Sequence, residues 1–330
     1  STRKESSAAS DVYKRQWLTT FANFGGPGIT GKIGAFTVWG VIIPVAGLCI
    51  IGWFWFKPDV LVAAWNPNDL PISESIAKAI PLTLWAFLGM ESAAQATDAV
   101  ENPKRNVPLA CLFGTLGAAG VYILSTTVIQ GIIPNADLAK STAPFALVYA
   151  TMFNPLVGHI VMALAVMACV GSLLGWQFTL AQTAKMTADQ NLFLKFFSKV
   201  NAMNAPVVGM IVCGVLQTLM ALSTISPDAA AQFSKLVNLA AVTNLIPYLT
   251  ALTGLLVIMY KAGVSTTIYA RNLVVLLVAV TYSLYALYAC GKDAVMGGTL
   301  VLAFGYLLYG FLAKRFTDTL PAEQAGAGNP

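Results

Sequence analysis

Histidine occurs once in the 330 residues, at position 159, and charged side chains make up only 10% of the chain. One histidine leaves no His-Glu-x-x-His zinc site and no Ser-His-Asp arrangement. The five cysteines, Cys49, Cys111, Cys169, Cys213 and Cys290, lie inside apolar stretches without metal-ligand spacing. They read as small buried hydrophobes, neither ligands nor disulfides. No pair of aspartates lies within apolar sequence for intramembrane proteolysis, and no glycine-rich loop offers a phosphate cradle. The sequence therefore predicts no enzyme activity, no metal and no cofactor. Any pumping would run on gradients and not on hydrolysis.

What the chain has in place of charge is apolar surface. Hydrophobic residues make up 57% of it, and the 10% charged fraction is well below the roughly 25% usual in soluble domains. A helix needs roughly 20 apolar residues to cross a hydrocarbon core about 30 Å thick. Eight stretches satisfy this: 34–56, 76–97, 109–132, 158–182, 206–224, 236–260, 272–290 and 295–313. A bundle of helices in a lipid bilayer follows, and a large soluble helical core does not.

Basic residues orient that bundle. Taken alternately, the connections on one side carry Lys32, Lys104, Arg105, Lys185, Lys195, Lys199, Lys261, Arg271, Lys314 and Arg315. The other side carries Lys57, Lys140 and Lys292 beside Asp59, Asp69, Glu74, Asp137, Asp228 and Asp293. The positive-inside rule places the first set, and with it the C-terminus, in the cytoplasm. The net charge of +5 is thereby placed in loops, and no nucleic acid is needed to explain it.

Residues 1–16 are polar, show no helical apolar stripe and are too polar for a signal peptide. They are expected to be unstructured or an artefact of the gene model. The run Trp17–Phe24 begins abruptly and is too short to span, so it reads either as a short amphipathic entry or, the favoured reading, as the tail of a helix whose beginning is absent. The segment 318–330, rich in Ala, Gly and Pro, is expected to be a disordered cytoplasmic tail.

One acid, Glu91, sits deep in the run from Ile80 to Ala94. An ionisable group at that depth costs roughly 2.5–3.5 kcal/mol on insertion scales, so it is a functional candidate by default. On an unbroken helix Trp85 and Glu91, six residues apart, would point some 120° from each other, by about 100° per residue. A break at Gly89 would let both face one cavity, and transporter sites are commonly built from such interrupted helices. A carboxylate beside an aromatic face suits a cation. The alternative is an ordinary helix with Glu91 paired elsewhere in the bundle.

Other spans carry fainter signals. Ser172, Trp176, Thr179 and Thr183 recur on one helix face, with Gly171 and Gly175 as a small-xxx-small pair. That stripe either lines a pathway that Trp176 closes over a cation, or it packs helices together. In 236–260, Asn238, Thr243, Asn244 and Tyr248 interrupt apolar sequence around Pro247. Interhelical hydrogen bonds and substrate contact explain them equally well. Asp98 and the segment Glu101–Pro108 read as a helix boundary or hinge. Tyr282, Tyr285, Tyr288, Tyr306 and Tyr309 mix packing and interfacial roles, and His159 reads as an interfacial residue.

Six segments carry a family resemblance: Thr37–Pro44, Ile51–Phe56, Thr83–Ser92, Glu101–Pro108, Gly171–Phe178 and Asn238–Tyr248. Together, over about 17–317, the chain resembles the basic amino acid/polyamine antiporters of the amino acid–polyamine–organocation superfamily. It is nearest to the putrescine–ornithine branch, with agmatine–arginine and cadaverine–lysine exchangers as cousins. The resemblance implies an all-α integral membrane protein with an inverted-repeat transporter fold and discontinuous helices. The eight spans would correspond to helices five to twelve of twelve, with Trp17–Phe24 a stub of helix four. The first helix, which receives the substrate carboxylate in such proteins, would lie outside this sequence.

By the same resemblance Trp85, Gly89, Glu91, Trp176 and Tyr309 would bind substrate, and Glu91, Trp176 and Tyr248 would gate it. The implied activity is exchange of putrescine for ornithine across the bacterial inner membrane, with proton-coupled putrescine uptake as a second mode. A homodimer is among the assemblies it allows. Alternatives are another diamine or amino acid permease and a fragment inactive on its own. Two departures stand out: Thr317 replaces an acid after Arg315-Phe316, and Ala94 replaces a cysteine.

Overall fold

A computed structural model describes residues 14–89, 100–223 and 229–317. Among the described residues all regular structure is helical. In chain order the helices are α1 (14–23), α2 (Gly26–Thr37), α3 (Trp39–Ile51), α4 (Pro58–Ala64), α5 (Ile72–Phe87), α6 (Pro103–Ile132), α7 (Asn135–Leu138), α8 (Pro144–Met152), α9 (Pro155–Asp189), α10 (Val207–Ser223), α11 (Ala229–Lys261), α12 (Thr266–Ala289) and α13 (Lys292–Thr317). Short 3₁₀ turns follow α3 (Gly52–Trp55) and precede α10 (Lys195–Ser198).

Among the described residues six segments are long and apolar enough to cross a membrane: Gly26–Trp55, Pro103–Ile132, Pro155–Asp189, Phe233–Lys261, Thr266–Ala289 and Lys292–Leu312. Six of the eight expected stretches thus correspond to long apolar helical segments; the other two run into residues outside the described ones. The stretch 206–224 forms α10, whose 17 residues extend about 26 Å at 1.5 Å per residue. The stretch 76–97 is interrupted. Helix α5 ends at Phe87, Leu88 turns extended (φ −65°, ψ 143°) and Gly89 takes φ +101°. Residues 90–99, including Glu91, Ala94 and Asp98, lie outside the described residues.

The start of the chain also differs from expectation. Lys14, Arg15 and Gln16 are helical and belong to α1, and Gln16 is buried at 4% exposure. The first membrane-length segment begins at Gly26, earlier than the expected residue 34. Pro27 stands in its opening turn, where a missing N–H costs nothing.

The chain divides into two compact units. In the first (1–67, 121–227 and 307–330), α3, α8, α9 and the later part of α6 share a core of Leu48, Val128, Ile129, Val148, Tyr149 and Val161. The Tyr149 hydroxyl donates to Pro44 O at 2.8 Å within it. A second cluster joins Ala181, Ala205 and Met210 with Phe24 and Phe178. In the second unit (68–120 and 228–306), Ile80 packs with Leu245 and Ala286, while Leu84 also meets the cluster of Ala241, Val242 and Cys290. Along the spans, Phe54, Phe113, Val278 and Phe304 are exposed, the pattern of a lipid-facing surface.

Candidate functional site

The sequence-predicted residues fall on both units. Trp85, Gly89 and Tyr248 belong to the second, and Trp176 and Tyr309 to the first. Trp85 occupies the last turn of α5 and is 43% exposed. Its indole meets the Phe233 ring of α11 edge to face, with centroids 5.4 Å apart, an arrangement that the ring quadrupoles favour. The indole is therefore held on one side by Phe233.

Four residues on, Gly89 adopts a positive φ that carries a large steric penalty for residues with a Cβ. The helix stops there because Leu88 leaves the helical region after its N–H bonds the Trp85 carbonyl at 3.2 Å. The expected break thus begins at Leu88–Gly89. Glu91, two positions beyond, is outside the described residues, so its partner is not part of this geometry.

The chain resumes its description at Val100, and α6 starts at Pro103 with Asn102 at φ +50°. Asn106 Nδ2 donates to Glu101 O at 2.6 Å, and the Arg105 and Asn106 amides bond Asn102 O at 3.0 Å. The segment Glu101–Pro108 is a helix start. Pro103 opens α6, as its lack of a donor allows, and Pro108 is carried inside the helix.

On α11, Tyr248 is half-buried, and Asn244 donates to Ala240 O at 2.8 Å within its own helix. Thr243 does likewise, to Leu239 and Ala240. These polar groups are satisfied locally. Pro247 lies inside α11 without ending it.

On α9, Trp176 is 50% exposed. The stripe beside it is self-satisfied: Thr179 donates to Gly175 O at 3.0 Å and Thr183 to Thr179 O at 2.9 Å. Such i−4 bonds leave a face that needs neither water nor a partner helix. A Cβ on Gly171 would sit 1.8 Å from Thr37 Oγ1, whereas one on Gly175 would meet nothing within 4 Å. Only half of the small-residue pair marks a close helix approach. Tyr309, on α13, is 51% exposed. His159 is exposed, its Nδ1 2.6 Å from Pro155 O.

Sequence reasoning missed Gln177. It is 2% exposed, and its side chain bonds Thr19, Thr20 and Gln16 of α1 and Gln217 of α10. The signal was present, since Gln16, Thr19, Thr20 and Asn23 recur at i, i+3, i+4 and i+7, one face of a helix. Placing a boundary after residue 16 divided that stripe. The motif Ile51–Phe56 is packing: Trp55 meets Phe153 at 5.1 Å and Trp53 meets Phe56 at 5.1 Å.

Among the described residues no group of three or more His, Cys, Asp and Glu is placed to hold a metal. A cleft of about 660 Å³ in the second unit is lined by Glu74, Lys78, Tyr288 and Lys292 among others, and the Glu74–Lys78 ion pair spans 2.9 Å. It contains none of the sequence-predicted site residues.

The profile of a family described as amino acid permease matches residues 16–308. The chain belongs to the amino acid permease family. It is 53% identical over 300 residues to the putrescine transporter PotE of Escherichia coli K12, covering 91% of this chain and 68% of the relative. The PotE of Haemophilus influenzae Rd matches equally, at 53% over 300 residues, 91% of this chain and 69% of the relative. A cadaverine/lysine antiporter of E. coli K12 is 35% identical over 237 residues, 70% of this chain and 53% of that protein. The permease fold, all helical and membrane-embedded, and the assignment to transporters and not enzymes follow from this membership.

Proposed function

We propose that this permease exchanges putrescine for ornithine by alternating access across the bacterial inner membrane, with its C-terminus in the cytoplasm. Proton-coupled putrescine uptake is a second mode of the same site. The observation that carries the reading is the end of α5: a half-exposed indole one turn before a backbone break at Gly89, in a run that leads to the one deeply placed acid, Glu91. Names borne by the relatives, a putrescine transporter and a cadaverine/lysine antiporter, support a small organic cation as cargo.

In this reading Glu91 accepts an ammonium group, which both putrescine and the ornithine side chain provide. Trp85 offers its face to the methylene chain and its charged end. Gly89 ends the regular helix so that the chain can turn toward substrate. Trp176, Tyr248 and Tyr309 act from α9, α11 and α13, with Glu91, Trp176 and Tyr248 controlling access. The transport domain includes residues 14–317, with the tail 318–330 after it, and two chains associate as a dimer.

The test is uptake of labelled putrescine into proteoliposomes with and without ornithine inside, challenged by unlabelled cadaverine, lysine, agmatine and arginine. The expected result is uptake stimulated by internal ornithine and lost in Trp85→Leu. Uptake that ignores internal ornithine, or that Trp85→Leu leaves unchanged, contradicts the reading. Stronger competition by cadaverine and lysine than by putrescine moves the assignment to the sister exchangers.

A further inference from the structure

The buried amide of Gln177 has more partners than a packing residue in a membrane span requires. Its Oε1 accepts from the Thr19 hydroxyl at 2.8 Å. Its Nε2 lies 3.0 Å from Gln217 Oε1, 3.2 Å from Thr20 Oγ1 and 3.3 Å from Gln16 O. Gln16 in turn donates to Gly214 O at 2.6 Å and accepts from Thr218 at 3.3 Å. One turn away, Asn23 Nδ2 donates to Leu174 O at 2.9 Å and its Oδ1 accepts from the Thr30 hydroxyl at 2.8 Å. A continuous polar seam therefore joins α9 to α1 and α10 within one compact unit.

The other contacts on this face of α9 come from Gly171, Leu174 and Ala181, which are buried and mostly small. Apolar contact between small residues resists rotation of a helix weakly, whereas hydrogen bonds are directional. The hydroxyls of Thr179, Thr183 and Thr187 bond their own helix and tie it to no neighbour. Trp176 precedes Gln177 directly, so the two side chains leave the axis about 100° apart and turn together.

We propose that Gln177 is a positioning residue for Trp176: its amide, held by two neighbouring helices at once, sets the rotation of α9 about its own axis and so decides how Trp176 is presented. The proposal rests on the reading that Trp176 faces the substrate path. Gln217, Thr19 and Thr20 take part as the partners that hold the amide.

The experiment uses the full chain in liposomes, with Cys49, Cys111, Cys169, Cys213 and Cys290 replaced by alanine and a reporter thiol introduced by Trp176→Cys. The rate of its reaction with a water-soluble maleimide is measured with Gln177 intact and in Gln177→Leu, each with and without putrescine. The expected result is a rate that changes about tenfold in Gln177→Leu, the scale set by losing one to two buried hydrogen bonds, while gel filtration shows the same monodisperse peak. A role in stability alone lowers the yield of folded protein without altering the rate in the folded fraction, and that result overturns the proposal. An unchanged rate overturns it as well. If the rate changes but putrescine protects the thiol in neither background, positioning stands and the substrate reading of Trp176 falls. Should Gln177→Leu not fold, Thr20→Val, which removes one of the amide's partners, carries the same measurement with a smaller expected change in the rate.

Discussion

At Gly171 an added methyl group would lie 1.8 Å from the Thr37 hydroxyl oxygen, while at Gly175 it would meet open space. Overpacking a tight helix contact costs about 1–3 kcal/mol. Gly171→Ala is therefore expected to lower the thermal unfolding midpoint of the detergent-solubilised protein, Gly175→Ala to leave it unmoved, and Thr37→Gly to restore Gly171→Ala. Equal effects at the two glycines would contradict the packing described. A spacing of four marked both as residues that allow close packing, because sequence shows a helix face but not which of its residues meets a neighbour. At Gly89 the constraint lies in the backbone conformation. A φ of +101° costs a residue with a Cβ about 1–3 kcal/mol, so Gly89→Ala should weaken putrescine binding or lower the yield of folded protein. Unchanged affinity and yield would show that the break does not need glycine. Gly89 was readable as a break from its company of Trp85 and Glu91. Gln177 was not readable from its own surroundings, because an amide inside an apolar run looks the same whether it is glue or a site residue; its signal lay in the partner stripe Gln16, Thr19, Thr20 and Asn23.

Six of the expected spans emerge as long apolar helical segments because 20 or more apolar residues in a row leave a bilayer-embedded chain few alternatives. Of the other two, 76–97 is interrupted because Leu88 and Gly89 take backbone angles that no hydropathy window registers, and 206–224 is described as α10 up to Ser223. Helix α1 was the least legible element. Its apolar residues are few, and what defines its buried face is the polar stripe Gln16, Thr19, Thr20 and Asn23. Between elements, the Tyr149 hydroxyl on α8 ties to Pro44 O on α3 at 2.8 Å. Tyr149→Phe removes one buried hydrogen bond and is expected to cost about 1 kcal/mol, seen as a modest fall in the unfolding midpoint with the helix content by circular dichroism unchanged. A loss of several times that size would mean that the hydroxyl supports more than this one contact.

For the molecule as a whole, composition and basic-residue placement made the membrane class plain, whereas cargo and direction depend on chemistry that a hydropathy pattern does not contain. Putrescine carries two positive charges and ornithine one, so the proposed exchange would move one net charge. At about 2.3 kcal/mol per charge per 100 mV, a 100 mV potential, negative inside, should favour putrescine entry by about 50-fold in the equilibrium ratio. Imposing that potential with valinomycin and a potassium gradient tests it, and an exchange ratio indifferent to potential would mean that the exchanged species have equal charge. The proposed function rests on a cation held by the one carboxylate deep in apolar sequence, Glu91, two residues beyond Gly89. Equilibrium binding of labelled putrescine to the purified protein and to Glu91→Gln measures this directly. The account predicts saturable binding that weakens at least about tenfold in Glu91→Gln, as the loss of a charge-assisted hydrogen bond requires. Equal affinity in the two proteins would contradict it.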